Sequence, residues 1–137
     1  MAKLKLDSDL DPDVFLIAIS SHVNDYRLCW ALNKSLDIDL GRRRHDIESQ
    51  GPEQIAYFSA FDHTEESTQS NVTLVSNHAP EGVLFADQRQ TDFFLVVDGE
   101  STFSPTDTLD RVRRAEFVLT AFNMDIKSLK GAFKLLQ

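Results

Sequence analysis

The run Phe93-Phe94-Leu95-Val96-Val97 constrains this chain more than any other feature. Its continuous apolarity, with no polar alternation, predicts a central strand over 91–98 that is covered on both faces. Such a strand needs paired neighbours for its backbone and a layer on each side. Val14-Phe15-Leu16-Ile17-Ala18-Ile19 reads as a second buried strand. Residues 55–61 and 71–76 read as two more, with the polar stretch 62–70 as a hairpin loop and 79–82 as a turn. Residues 116–124 alternate as a further strand.

Helical signals fall between these runs. Ser20 and Ser21 offer N-caps for a helix over 22–35. On a helical wheel Leu28, Cys29, Leu32 and Leu36 share one arc, and Val23, Tyr26 and Trp30 form a second beside it. Two arcs predict burial on more than one side, against the sheet and against another element or subunit. Ser104-Pro105-Thr106-Asp107 is a helix start with Ser at the cap and Pro at the first position, running to about Arg114. Ile126, Leu129 and Phe133 predict a last helix, which Gly131 weakens. Residues 3–6 and 37–40 alternate as short strands, and 41–52 reads mostly as loop.

Strand, helix, several strands, helix, strand defines an α+β class. The expected layout is a mainly antiparallel sheet with helices packed on one face, ferredoxin-like or ACT-like. The 137 residues are the size of one domain, expected over 1–137. Such a chain buries roughly 65–70% of its unfolded surface, enough to fold without a disulfide or metal.

Composition narrows the function classes. Cys29 is the only cysteine, which excludes an internal disulfide and a multi-cysteine zinc site. No apolar run is long enough for a membrane helix, and the first residues lack the apolar core of a signal peptide. The cytoplasm is the expected location. A net charge of −8 disfavours nucleic acid and anionic lipid as partners.

Phe15-Leu16-Ile17-Ala18-Ile19-Ser20-Ser21, then Asp25-Tyr26-Arg27-Leu28 and Leu32-Asn33, resemble the start of the IPExxxVDY proteins. Thr73-Leu74-Val75-Ser76-Asn77 and Leu119-Thr120-Ala121-Phe122 extend the resemblance almost end to end. The naming motif aligns with Phe85-Ala86-Asp87-Gln88-Arg89-Gln90-Thr91-Asp92-Phe93, where Asp92 matches outright and Ala86 replaces the proline. The resemblance implies a small bacterial protein and brings no activity with it. As structure, the motif reads as a turn feeding a strand.

Six residues are candidates for contacting a ligand or partner: Asp25, Tyr26, Arg27, Trp30, Asp92 and Phe93. Asp25 lies in the first turn of its helix, where a carboxylate either complements the helix dipole or is held for binding. Arg27 offers an anion contact, and Trp30 a hydrophobic anchor. His22, His45, His63 and His78 are scattered, although a hairpin would bring His63 and His78 near Asp62. Asp7, Asp9, Asp11 and Asp13 fail as a calcium loop, because Pro12 and Ala18 occupy the positions needing Gly and Glu. Arg42, Arg43, Arg44, His45 and the Arg111, Arg113, Arg114 group read as solvated or ion-paired. Cys29 reads as a buried, inert thiol. No phosphate loop or nucleophile elbow is present.

No catalytic residue, metal ligand or cofactor is assigned from the sequence. The leading expectation is a non-enzymatic protein-interaction or oligomerising module, as a homodimer or with another protein. A small-ligand sensor of the ACT type comes second, and an enzyme using Asp25, His63, His78 and Asp92 third.

Overall fold

The computed structural model describes residues 13–136. Its centre is the strand the apolar run predicts, β9 (Phe93–Asp98), whose first five residues are all buried. β9 pairs on one side with β1 (Val14–Ser20) and on the other with β6 (Ser70–Ser76), both antiparallel. β10 (Thr120–Met124) pairs with the far side of β1, while β5 (Ala60–Glu65) and β2 (Gly41–Arg42) extend the sheet beyond β6. The order is β10-β1-β9-β6-β5-β2, antiparallel throughout.

Two crossovers follow from these pairings. β1 and β6 both oppose β9, so they are parallel to each other with β9 between them. β9 and β10 both oppose β1, so they too are parallel, with β1 between. Helix α1 (Asp25–Leu36) lies in the first crossover and helix α2 (Pro105–Arg114) in the second. Two interlocked split β-α-β units are the ferredoxin-like arrangement. Here it carries an insertion, β2 to β5, in the first crossover.

Each face of the sheet has its own core. On the helical face Leu28, Leu32 and Leu36 of α1 and Val112 of α2 pack on Ile17, Ile19, Leu74, Leu95 and Val97. Ser35 ties the helices together by donating to the Arg111 carbonyl at 2.6 Å. The back face is covered without α-helix. The hairpin of β3 (Ile47–Gln50) and β4 (Ile55–Phe58), together with the chain's end, lays Ile47, Phe58, Ile126, Leu129 and Leu135 over Leu16, Phe94 and Val96.

Several expectations are corrected. α1 begins at Asp25 and not at residue 22, because Ser21 is engaged elsewhere and Asn24 caps the helix, accepting from the Arg27 amide at 3.0 Å. Residues 37–40 are not a strand. Asp37 ends α1 in a left-handed conformation, and the Asn33 side chain bonds both the amide and the carbonyl of Leu40. The expected loop 41–52 contains β2 and β3, anchored by the single buried Ile47. The run 55–61 is two strands. They divide at Ser59, where the chain leaves the back-face hairpin and enters the sheet. β5 continues through polar residues to Glu65, so the hairpin turn is only 66–69. β10 starts at Thr120, because Phe117 has φ of 71° and cannot extend the strand. The last helix is instead two 3₁₀ turns, Ile126–Ser128 and Ala132–Leu136, with Gly131 at φ 81° between them. Phe133 faces solvent. The strand expected at 3–6 lies outside the described residues.

Candidate functional site

The C-terminal end of β1, the start of α1, the end of β6 and the start of β9 meet at one end of the sheet. They form a crevice of about 320 Å³ whose lining includes Ser21, Asp25, Ser76, His78 and Asp92. Asp25 accepts its neighbour's amide at 2.7 Å through one oxygen and the Ser59 hydroxyl at 2.7 Å through the other. Ser59 in turn shares a 2.7 Å hydrogen bond with Ser76. Asp92 accepts the Ser21 amide at 2.8 Å, and its second oxygen lies 3.7 Å from His78 Nε2. That nitrogen is also 3.0 Å from the Arg89 carbonyl. Each of the three serine hydroxyls is therefore engaged with a group other than histidine, since Ser21 donates to the Phe117 carbonyl at 2.6 Å. A serine nucleophile would need a base in that position.

The motif-like segment 85–93 folds as the turn that closes this end of the sheet, and one buried residue organises it. Asn77 follows β6 and is fully inaccessible. Its amide donates to Asp92 O and its carbonyl accepts from the Leu84 amide. Its side-chain oxygen accepts from the Phe85 amide at 2.9 Å, and its side-chain nitrogen donates to Gln88 O and Thr91 O at 2.9 and 2.8 Å. Buried polar atoms are costly unless paired, and Asn77 pairs five sets at once.

A second feature lies beside the crevice, on the outward side of α1. Leu28, Leu32 and Leu36 direct the helix onto the sheet, leaving Tyr26 and Trp30 at 59% and 53% exposure. Val23, expected with them, packs against the core instead. Phe117, from the strained turn before β10, completes a shallow pocket with Tyr26, Arg27, Trp30 and Glu116. Cations cover the rings. The Arg27 guanidinium lies 4.7 Å from the Phe117 centroid, Lys34 Nζ 5.3 Å from Trp30 and the Arg42 guanidinium 5.9 Å from Tyr26. Lys34 also faces Glu116, and Arg42 pairs with Asp46, whose hydrogen bond strengthens its hold on the proton. Arg27 has no carboxylate partner among the described residues.

The six sequence candidates thus divide between two adjoining places. Asp25, Asp92 and Phe93 line the crevice, while Tyr26, Arg27 and Trp30 form the aromatic face. Ser59, Ser76, Asn77 and Phe117 were not anticipated. The lone polar Ser59 inside an otherwise apolar run was a legible sign of a break. His63 does not join His78: its Nδ1 accepts the Asp39 amide at 3.1 Å. No group of three or more His, Cys, Asp or Glu among the described residues has metal-binding geometry. Cys29 is buried and donates to Leu40 O. Burial first, and the nearby Asp25 charge second, push its thiol up from its ordinary range. Within the two basic clusters Arg43 pairs with Asp62, Arg111 with Asp107 and Arg114 with Asp110, as Arg42 does with Asp46. No helix among the described residues is long and apolar enough to cross a membrane.

Fold and site together define a ferredoxin-like α+β protein with a polar crevice and an exposed aromatic face at one sheet end. Compared with family models, curated proteins and solved structures, the chain matches none.

Proposed function

We propose that this chain is a non-enzymatic protein-interaction module whose contact surface is the Tyr26–Arg27–Trp30–Phe117 face. One observation carries the reading. The only tryptophan in the chain is half-exposed on a helix that already has a complete apolar stripe against the sheet. Exposed Trp, Tyr and Arg in one patch is the composition of an interface hot spot. The backbone strain at Phe117 supports it, since strained residues concentrate at binding surfaces.

The partner is a protein with an acidic, partly apolar face. A symmetric contact through this face would bring two copies of the cationic set Arg27, Lys34 and Arg42 into one interface, which like-charge repulsion opposes. An acidic surface instead complements Arg27, which lacks a carboxylate. The crevice supports the non-enzymatic reading because its serines and His78 are not arranged as nucleophile and base. A cytoplasmic bacterial setting, and kinship with the IPExxxVDY proteins, remain part of this proposal. They rest on the lone cysteine and on the resembling segments.

Native mass spectrometry of protein purified gently from its own host tests the reading, with Trp30→Ala and Arg27→Glu beside the wild type. The expected result is a heterocomplex that both variants weaken by more than about 1 kcal/mol, with the folded far-UV spectrum unchanged. A bare monomer in the wild type, or a complex indifferent to both substitutions, would overturn the proposal. A homodimer that survives Arg27→Glu would overturn the acidic partner.

A further inference from the structure

A cleft of about 490 Å³ lies on the back face, away from both features above. Three segments wall it: the β3–β4 hairpin, the stretch 81–88 and the 3₁₀ turns at the chain's end. Phe58, Phe85 and Leu129 give it an apolar floor, each buried in the back-face core. Volume and lining are those of a small-molecule site.

The charged groups at its edge are uneven in their partners. Lys134 is half-buried and lies over the Phe85 ring at 5.5 Å. Its ammonium makes one long hydrogen bond, 3.4 Å to the Leu84 carbonyl. An ammonium has three donors, so two are left for another acceptor. Neither Lys134 nor its neighbour Lys130 has a carboxylate partner among the described residues. A partly desolvated cation beside an apolar floor is suited to an anion that carries an apolar body.

We infer that this cleft binds a small organic carboxylate, its anionic group on Lys134 and its apolar body on Phe58, Phe85 and Leu129. Two sources share this chemistry, a simple aliphatic acid and a hydrophobic amino acid. Glu81 and Asp87 also line the cleft and would meet the ammonium of the latter. The inference is independent of the interaction surface on α1, and neither stands or falls with the other.

Titration calorimetry on the whole chain with hexanoate, L-phenylalanine and 1-hexanol tests it. At least one of the two carboxylates should bind saturably. Lys134→Gln should weaken that binding by about tenfold or more, and Lys134→Arg should largely restore it. Hexanoate binding identifies the simple acid, and phenylalanine binding alone identifies the amino acid; either supports the site. Lys134 is not a core residue, so melting curves of both variants should match the wild type. Three results would overturn the inference: no carboxylate binding up to about 10 mM, where even a millimolar site registers; equal affinity in Lys134→Gln; or 1-hexanol binding as well as hexanoate.

Discussion

At the sheet end marked by Ser20, Ser76, Phe93 and Thr120, side chains join segments far apart in sequence. Ser21 alone reaches Asp92 through its amide and Phe117 through its hydroxyl. At the opposite end, marked by Val14, Ser70, Asp98 and Met124, carboxylates close turns. Glu65 accepts from the Thr102 amide and hydroxyl and from Thr68, and Asp98 accepts from the Asn71 amide. The first end depends mainly on a neutral hub, Asn77, and holds the crevice, the strained Phe117 and the exposed aromatics. The second depends on charge; its own groove is lined mainly by polar and charged residues, Arg43, Asp62, Thr64, Asn71 and Asp98 among them. The Asn77 bonds themselves are uncharged and saturated, which suits a turn beside an unfavourable backbone conformation.

The strongest way to break this contrast is Asn77→Ala. It leaves the Phe85 amide and the Thr91 carbonyl without their side-chain partner, while the Gln88 carbonyl keeps the Thr91 amide. Each buried group so orphaned costs about 1–3 kcal/mol, so urea denaturation should show a loss of about 3 kcal/mol or more. A loss below about 1 kcal/mol would mean that water replaces the hub. Ser21→Ala should cost less, about 1–2 kcal/mol, because it removes one donor and one long 3.4 Å acceptor for the Val23 amide and leaves the amide bond to Asp92 intact. The same denaturation measurement ranks the two, and the reverse order would show that Ser21 and not Asn77 organises this end.

Sequence reading reached the elements with local signatures. Phe93 to Val97 could only be central, Ser104 and Pro105 could only start a helix, and Trp30 was spare once Leu28, Leu32 and Leu36 were inward. What it missed depends on contacts between distant residues. Asn77 looks like any polar residue after a strand, and its role appears only once 84–92 folds back over it. Ser21 looked like a cap, and its long-range bonds left capping to Asn24. β5 was read as loop beyond Phe61 because its later residues are polar, although pairing with β6 extends the strand there. Lys134 carried no signal at all, since its position over Phe85 depends on 3₁₀ turns that helical spacing disguised.

Phe117→Gly sharpens the comparison from the functional side. Glycine tolerates φ of 71°, which relieves strain of about 1 kcal/mol, while the loss of the ring beside Arg27 offsets part of it. Stability should therefore change by less than about 0.5 kcal/mol, whereas partner association falls as it does for Trp30→Ala. A stability loss above about 1.5 kcal/mol would place the Phe117 ring in the core and not in a contact surface.

The smallest effect separates the two ends by pH. Hydrogen bonds from Thr102 first, and Thr68 second, hold the Glu65 carboxyl below its usual range. The unfolded chain then binds this proton at higher pH than the folded one. The contribution is full above the ordinary glutamate range, about pH 4.3, and disappears as pH falls through the lowered folded value. Glu65 is partly exposed, so solvent screens the effect and it should appear only as a shallower acid limb in Glu65→Gln. Asn77→Ala should instead lower the whole stability curve in parallel, because an amide does not titrate. Stability measured from pH 3 to 7, with the two curves expected to diverge only below about pH 4.3, decides the matter. An acid limb equally steep in wild type and Glu65→Gln would remove the electrostatic half of the contrast and leave the two ends distinguished only by the Asn77 hub.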